Sequence, residues 1–222
     1  MIPLRDTQPS YSTPIVTIGL ILANVAAFFY EISLDSFSLN HLLAERGIIA
    51  ARFEVSDLVS SMFLHGGWMH LIGNMWFLWI YGDNVEDILG GGRYLLFYVA
   101  CGAAAGLAQV MFSPGSRIPT IGASGAIAGV MGAYMAKFPH SRVLTLVPLV
   151  IFFTTLEIPA VLILAYWFLI QLFSGVGQIG FSQVSGGGVA WFAHIGGFVA
   201  GYLLIRVLPT RQRFSHRPDL NW

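Results

Sequence analysis

The chain has 222 residues, of which only 10% are charged and 56% are apolar before its 25 glycines are counted. A typical soluble domain is roughly 25% charged, and a mean hydropathy of +0.72 points the same way: this is the composition of a polytopic membrane protein. It excludes the soluble-enzyme, nucleic-acid-binding and disordered classes. The balance of 11 basic and 11 acidic residues leaves no basic field for nucleic acid, and a lone Cys101 excludes an intramolecular disulfide or a Cys-rich metal site.

A helix needs about 20 mostly apolar residues to cross the hydrocarbon core. The first such segment is Pro14 to Tyr30, closed by Glu31. It could serve as a signal peptide, but the polar, proline-containing stretch before it holds only Arg5 as a basic residue, and an uncleaved span is the preferred reading. Ser33 to Gly67 mixes scattered charges with apolar residues at helical spacing, as expected of a long loop whose short helices lie in the interface. Three further spans are expected at Trp68 to Tyr81 (extending to Ile88), Tyr94 to Phe112 and Ser124 to Ala136. Asp83, Glu86 and Asp87 read as the solvated end of the second. Val143 to Leu156 is apolar, but Pro148 interrupts it and Pro159 follows, so it reads as a packed connection.

From Ile158 to Ile205 the chain runs 48 residues without Asp, Glu, Lys or Arg, enough for two crossings. The glycine cluster from Ser174 to Gly188 marks the turn between a fifth span, Ile158 to Phe173, and a sixth, Val189 to Val207. The expected fold is therefore an all-α membrane bundle of six transmembrane helices (residues 14–208). It carries a long first loop partly in the interface and is flanked by tails 1–13 and 209–222. With both termini on one side, that side holds eight basic residues (Arg5, Arg93, Lys137, Arg142, Arg206, Arg211, Arg213, Arg217). The other holds Arg46, Arg52 and Arg117, which makes the termini cytoplasmic.

Strongly polar residues inside membrane helices are expensive and default to functional candidates. His70 and Asn74 on the second span, Ser124 on the fourth and His194 on the sixth fall at one depth under this topology, toward the outer surface. His70 and Asn74 share a helix face at i, i+4. Gly125, Ala128, Gly129 and Gly132 form a small-residue stripe below Ser124, and Gly197 and Gly201 follow His194 at i+3 and i+7. Such stripes let helix backbones approach closely, and facing each other they would bring Ser124 and His194 into hydrogen-bonding range. Each residue also has a plainer reading. A membrane serine usually bonds back to its own helix carbonyl, and a histidine or asparagine often ties two helices together.

Together the four suit nucleophilic catalysis. A serine hydroxyl needs an adjacent base, which His194 can supply. With no Asp or Glu in the outer half of these spans, a Ser–His dyad is expected rather than a triad. The Ser124 backbone N–H at a helix N-terminus, with the His70 and Asn74 side chains, would donate to a developing oxyanion. Gly122 and Gly125 would let backbone approach the substrate without Cβ interference. Metal chemistry lacks a H-E-x-x-H motif. An aspartyl mechanism lacks a second carboxylate to face the one in Tyr81-Gly82-Asp83.

Three motifs carry a family resemblance: Gly122-Ala123-Ser124-Gly125; His65 through His70 to Asn74 (H-x4-H-x3-N); and Ala193-His194-Ile195-Gly196-Gly197. In this order and on these helices the chain resembles the rhomboid intramembrane serine proteases. The resemblance implies cofactor-free cleavage of single-span transmembrane proteins at or just within the bilayer. It implies Ser124 as nucleophile, His194 as general base, and His70 with Asn74 in the oxyanion hole. It further implies a cap formed by the Ser174–Gly188 loop and a stabilising role for His65. Where some members carry a Trp-Arg pair in the first loop, this chain has Ser56-Asp57; where some carry a tyrosine stacking on the histidine, it has Ala128. Two alternatives stand beside the protease: a rhomboid-like protein that holds client helices without cutting them, and a small proton channel relaying through His70 and His194. Short tails and the lack of a transit-like N-terminus favour a prokaryotic plasma membrane.

Overall fold

The computed structural model describes residues 1–149, 152–180 and 189–211. Each of the six segments expected to span is helical: α1 (Ile15–Ser33), α4 (Trp68–Leu89), α5 (Gly91–Phe112), α6 (Ser124–Lys137), α7 (Ala160–Gly180) and α8 (Trp191–Val207). Three of them are long and apolar enough by themselves to cross a membrane: α1, α5 and the Ala160–Gly177 part of α7. The others depart for local reasons. α4 carries Asp83, Glu86 and Asp87 near its end, α6 has 14 residues and α8 has 17. Between α1 and α4 the first loop folds into α2 (Ser36–Arg46), α3 (Asp57–Ser60) and two 3-10 turns. Asp35 caps α2, accepting from the Phe37 and Ser38 amides at 2.9 and 3.0 Å.

Three differences from expectation have physical causes. The chain is predominantly helical, as expected of a helical membrane bundle, but the residues expected to form an irregular connection lie instead in two paired antiparallel strands. Strands β2 (Arg142–Leu149) and β3 (Phe152–Pro159) pair, and β1 (Ile2–Asp6), inside the expected N-terminal tail, joins the other edge of β2. Val, Thr, Leu and Phe dominate these strands, as suits a pleated surface. Pro148 lies beyond the last residue that β1 pairs, where β2 has a partner on one side only and a missing N–H is tolerated.

Second, α7 runs through Gly175 and Gly177 to Gly180, so the turn does not begin at Ser174. Residues 181–188, the rest of the expected cap, lie outside the described residues, as do 212–222 of the C-terminal tail.

Third, Glu86 and Asp87 are buried, not solvated. Glu86 accepts from the Val16 and Thr17 amides at 2.9 and 2.8 Å and from the Thr17 hydroxyl at 2.8 Å, so it caps the start of α1 from across the bundle. Asp87 accepts from the Tyr11 amide and the Ser12 hydroxyl.

The closest packing is between α6 and α8, and it is backbone against backbone. A Cβ on Gly197 would strike the Gly125 carbonyl, one on Gly201 the Gly129 carbonyl, and one on Gly132 the Phe198 carbonyl. The two small-residue stripes therefore face each other as their spacing implies. Gly19 on α1, by contrast, has nothing within 4 Å of where its Cβ would stand. Gly201→Leu should lower the unfolding midpoint in detergent, with a loss of about 2 kcal/mol or more from overpacking, while Gly19→Leu leaves it unchanged. Equal midpoints for the two variants would refute this assignment of the interface.

Candidate active site

Ser124 is the first residue of α6 and His194 lies in the first turn of α8. The approach to α6 is held by the first loop. Ile48 and Thr120 exchange backbone hydrogen bonds of 3.0 and 2.8 Å, and the Gly122 amide donates to the Ser61 carbonyl at 2.9 Å. Gly122 itself has φ +121°, a conformation L-residues rarely adopt, and a Cβ there would lie 2.7 Å from His70 Nε2. Both conditions call for glycine at this position.

His194 is buried, and its Nε2 stands 2.8 Å from Ser124 Oγ. Its Nδ1 stands 2.7 Å from Gln171 Oε1, contributed by α7. The Trp167 ring, one turn earlier on α7, packs against the imidazole at 5.7 Å and 38°, and Trp191 meets it edge-on at 6.4 Å. Gln109 on α5 accepts from the Ala193 amide at 3.2 Å, fastening the first turn of α8.

On α4, the Gly66 amide donates to His70 Nδ1 at 3.3 Å. In a neutral ring that leaves the proton on Nε2, the nitrogen turned toward Gly122. Asn74 is buried and its side-chain Nδ2 has no hydrogen-bond partner, an uncommon state for a buried donor. His70, Asn74, Ser124, Trp167 and His194 all line one cleft of about 910 Å³.

The structure thus brings together the four polar residues singled out from the sequence. Of the three glycines expected to support them, Gly122 and Gly125 flank Ser124 and Gly197 packs on Gly125. Sequence reasoning missed Gln171 and Trp167. Gln171 carried a usable signal, as the one amide in the otherwise apolar segment Ile158–Phe173. Among the described residues no three His, Cys, Asp or Glu side chains converge as metal ligands would.

His65 sits behind the site, buried, with its ring 5.1 Å from that of His70. Its amide donates to both carboxylate oxygens of Glu31, each at 3.1 Å, and Nδ1 bonds the Phe63 carbonyl at 3.3 Å. Burial, with a smaller contribution from His70, pushes its pKa down to about 4.

A membrane bundle with a serine–histidine contact at the starts of two glycine-packed helices defines a narrow class, and sequence comparison agrees with it. The Rhomboid domain family model matches residues 52–211, and the chain belongs to the rhomboid family. It is 32% identical over 134 residues to Rhomboid protease GluP of Bacillus subtilis (strain 168), covering 59% of this chain and 25% of that protein. It is 31% identical over 160 residues to RHOMBOID-like protein 5 of Arabidopsis thaliana, covering 72% and 46%. Against Rhomboid protein 1, mitochondrial, of Saccharomyces cerevisiae it is 28% identical over 115 residues, covering 50% and 32%. The chain therefore spans less than half the length of each of these relatives. Because bacterial and mitochondrial proteins both match, the expectation of a prokaryotic plasma membrane draws no support from them.

The burial of His65 has a consequence for stability. An exposed His65 takes up a proton near pH 6.5, whereas in the fold it stays neutral down to about 4. Between those values the unfolded chain binds more protons, so acidification favours unfolding. Stability should fall by up to about 3 kcal/mol across this window, and His65→Gln should flatten that part of the pH–stability curve in detergent. An unchanged slope would contradict the assignment.

Proposed function

We propose that this protein is an intramembrane serine endopeptidase that cleaves single-span transmembrane proteins at or just within the bilayer. The observation that carries the reading is the 2.8 Å contact between His194 Nε2 and Ser124 Oγ, on the wall of a cleft that also receives the His70 and Asn74 side chains. In this reading α1, α4, α5, α6, α7 and α8 all cross the membrane, as a bundle over residues 14–208 with a cytoplasmic tail on either side. The first loop lies partly in the outer interface. The shorter α6 starts below that surface, which sinks Ser124 and requires the cleft to admit water.

The chemistry follows from the donors and acceptors present and needs no cofactor. Ser124 Oγ–H donates to His194 Nε2; as Oγ attacks the scissile carbonyl carbon, the proton passes to Nε2. The carbonyl oxygen becomes an oxyanion, which the Ser124 amide at the α6 N-terminus, His70 Nε2–H and the Asn74 amide group can stabilise. Asn74 Nδ2 has no protein partner to give up, so its hydrogen bond is strongest when charge develops. Protonated His194 then delivers its proton to the departing amine. A water, deprotonated by His194, cleaves the acyl-enzyme and restores the serine.

A fluorophosphonate should label the wild-type protein at Ser124, and Ser124→Ala or His194→Ala should abolish both labelling and cleavage of a single-span reporter. Asn74→Ala should retain the fold and lose roughly 10²-fold in kcat, as expected on removing one oxyanion donor. Labelling that persists in Ser124→Ala would exclude this function.

A further inference from the structure

We propose that Gln171 is the positioning residue of the Ser124–His194 pair. Its side-chain oxygen accepts the Nδ1–H of His194 and so holds the imidazole in the tautomer and orientation that leave Nε2 free to take the serine proton. The inference rests on the serine-endopeptidase reading.

A neutral imidazole carries one N–H. If that proton sat on Nε2, the ring would donate to Ser124 Oγ and could not accept its proton. The base is competent only with the proton on Nδ1, and a buried Nδ1–H needs an acceptor. Gln171 Oε1 is there at 2.7 Å, and both residues are buried. Among the described residues no carboxylate bonds to His194; the partners of its two ring nitrogens are Ser124 and Gln171.

Two further observations favour a positioning role over incidental packing. Gln171 lies in a helix segment rich in Leu, Ile, Phe and Trp, where an unpaired amide would be costly, so the amide and the imidazole satisfy each other. Trp167 precedes Gln171 by one helical turn, on the same face of α7, and packs on the imidazole at 5.7 Å. α7 thus offers His194 a flat apolar surface and a hydrogen-bond acceptor side by side. Together they restrict both the tilt of the ring and its rotation about Cβ–Cγ.

The test uses the full chain in detergent, following fluorophosphonate labelling of Ser124 and cleavage of a single-span reporter across pH. Gln171→Met removes the acceptor at similar volume, and Gln171→Glu keeps an oxygen in its place. Gln171→Met should lower kcat and the labelling rate about tenfold or more with KM unchanged. Gln171→Glu should recover most of the rate and move the acid limb of the profile to higher pH, because a carboxylate favours the protonated ring. Of the groups facing His194 (Gln171 and Trp167 from α7, Ser124 from α6, Trp191 from its own helix, His70 across the cleft on α4), only His70 titrates, and it is common to all variants. The proposal is overturned if Gln171→Met keeps wild-type kcat. It is equally overturned if both variants lose activity together with their unfolding midpoints, which is what a purely structural glutamine would do. In either case labelling of Ser124 in the wild type leaves the endopeptidase reading standing; a wild type that resists labelling removes both.

Discussion

The geometry of the site depends on the contact between the backbones of α6 and α8. In lipid, helices gain little from hiding apolar side chains from one another, and close association relies on dispersion and on small residues that let main chains meet. Here Gly197 meets the Gly125 carbonyl and Gly201 the Gly129 carbonyl, while Gly132 meets the carbonyl of Phe198. Main chain cannot swing aside as a long side chain can, so this contact fixes register as well as distance. Ser124 and His194 sit in the first turns of the same two helices. Their 2.8 Å separation is in that sense set further down the helices, by glycines that touch neither the hydroxyl nor the imidazole.

The other helices are fastened around that pair by hydrogen bonds between carboxylates and main-chain amides. α1 is held near both ends. Glu86 of α4 accepts the Val16 and Thr17 amides at its start, and its own Glu31 accepts the His65 amide near its finish. The second of these bonds fixes the segment just before α4, where the Gly66 amide sets the tautomer of His70. The far end of the bundle is closed by the sheet and by Asp6, which takes a hydrogen bond from Tyr134 and whose carboxyl burial pushes up to about 6. A buried carboxylate satisfied by amides at a helix start exploits the same dipole that would favour an oxyanion at Ser124.

Much of this was legible in the residues because membrane insertion restricts the alternatives. Threading the apolar segments back and forth leads to the expectation that His70, Asn74, Ser124 and His194 share one level, and the i+3, i+7 glycines select which faces meet; the structure brings the four to one cleft. Other features were not legible, each for its own reason. The pairing of β2 with β3 was hidden by Pro148, which reads as a break unless the edge position is known. Glu86 and Asp87 look like a solvated helix end because sequence does not reveal which amides will come to meet them. Gln171 carries no charge and belongs to no motif, and its one distinguishing contact is with a partner 23 residues away on another helix.

That an amide, not a carboxylate, stands behind the imidazole fits the medium. An ionised Asp or Glu at the position of Gln171 would hold the neighbouring imidazole protonated, and a protonated ring cannot take the serine proton until the pH rises. The amide oxygen orients the ring with no net charge in the resting state. In the proposed reaction the imidazolium and the oxyanion arise in the same step, close together and of opposite sign. The cleft therefore never has to hold an isolated charge, and the low dielectric that penalises such a charge strengthens the attraction within the pair. A neutral orienting group gives up the extra stabilisation a carboxylate would lend the imidazolium, which shifts more of the work of stabilising charge to the donors of His70, Asn74 and the Ser124 amide. Those donors are held by the first loop and α4, so the proposed chemistry would depend on the fastening of α1 and His65 as the fold does.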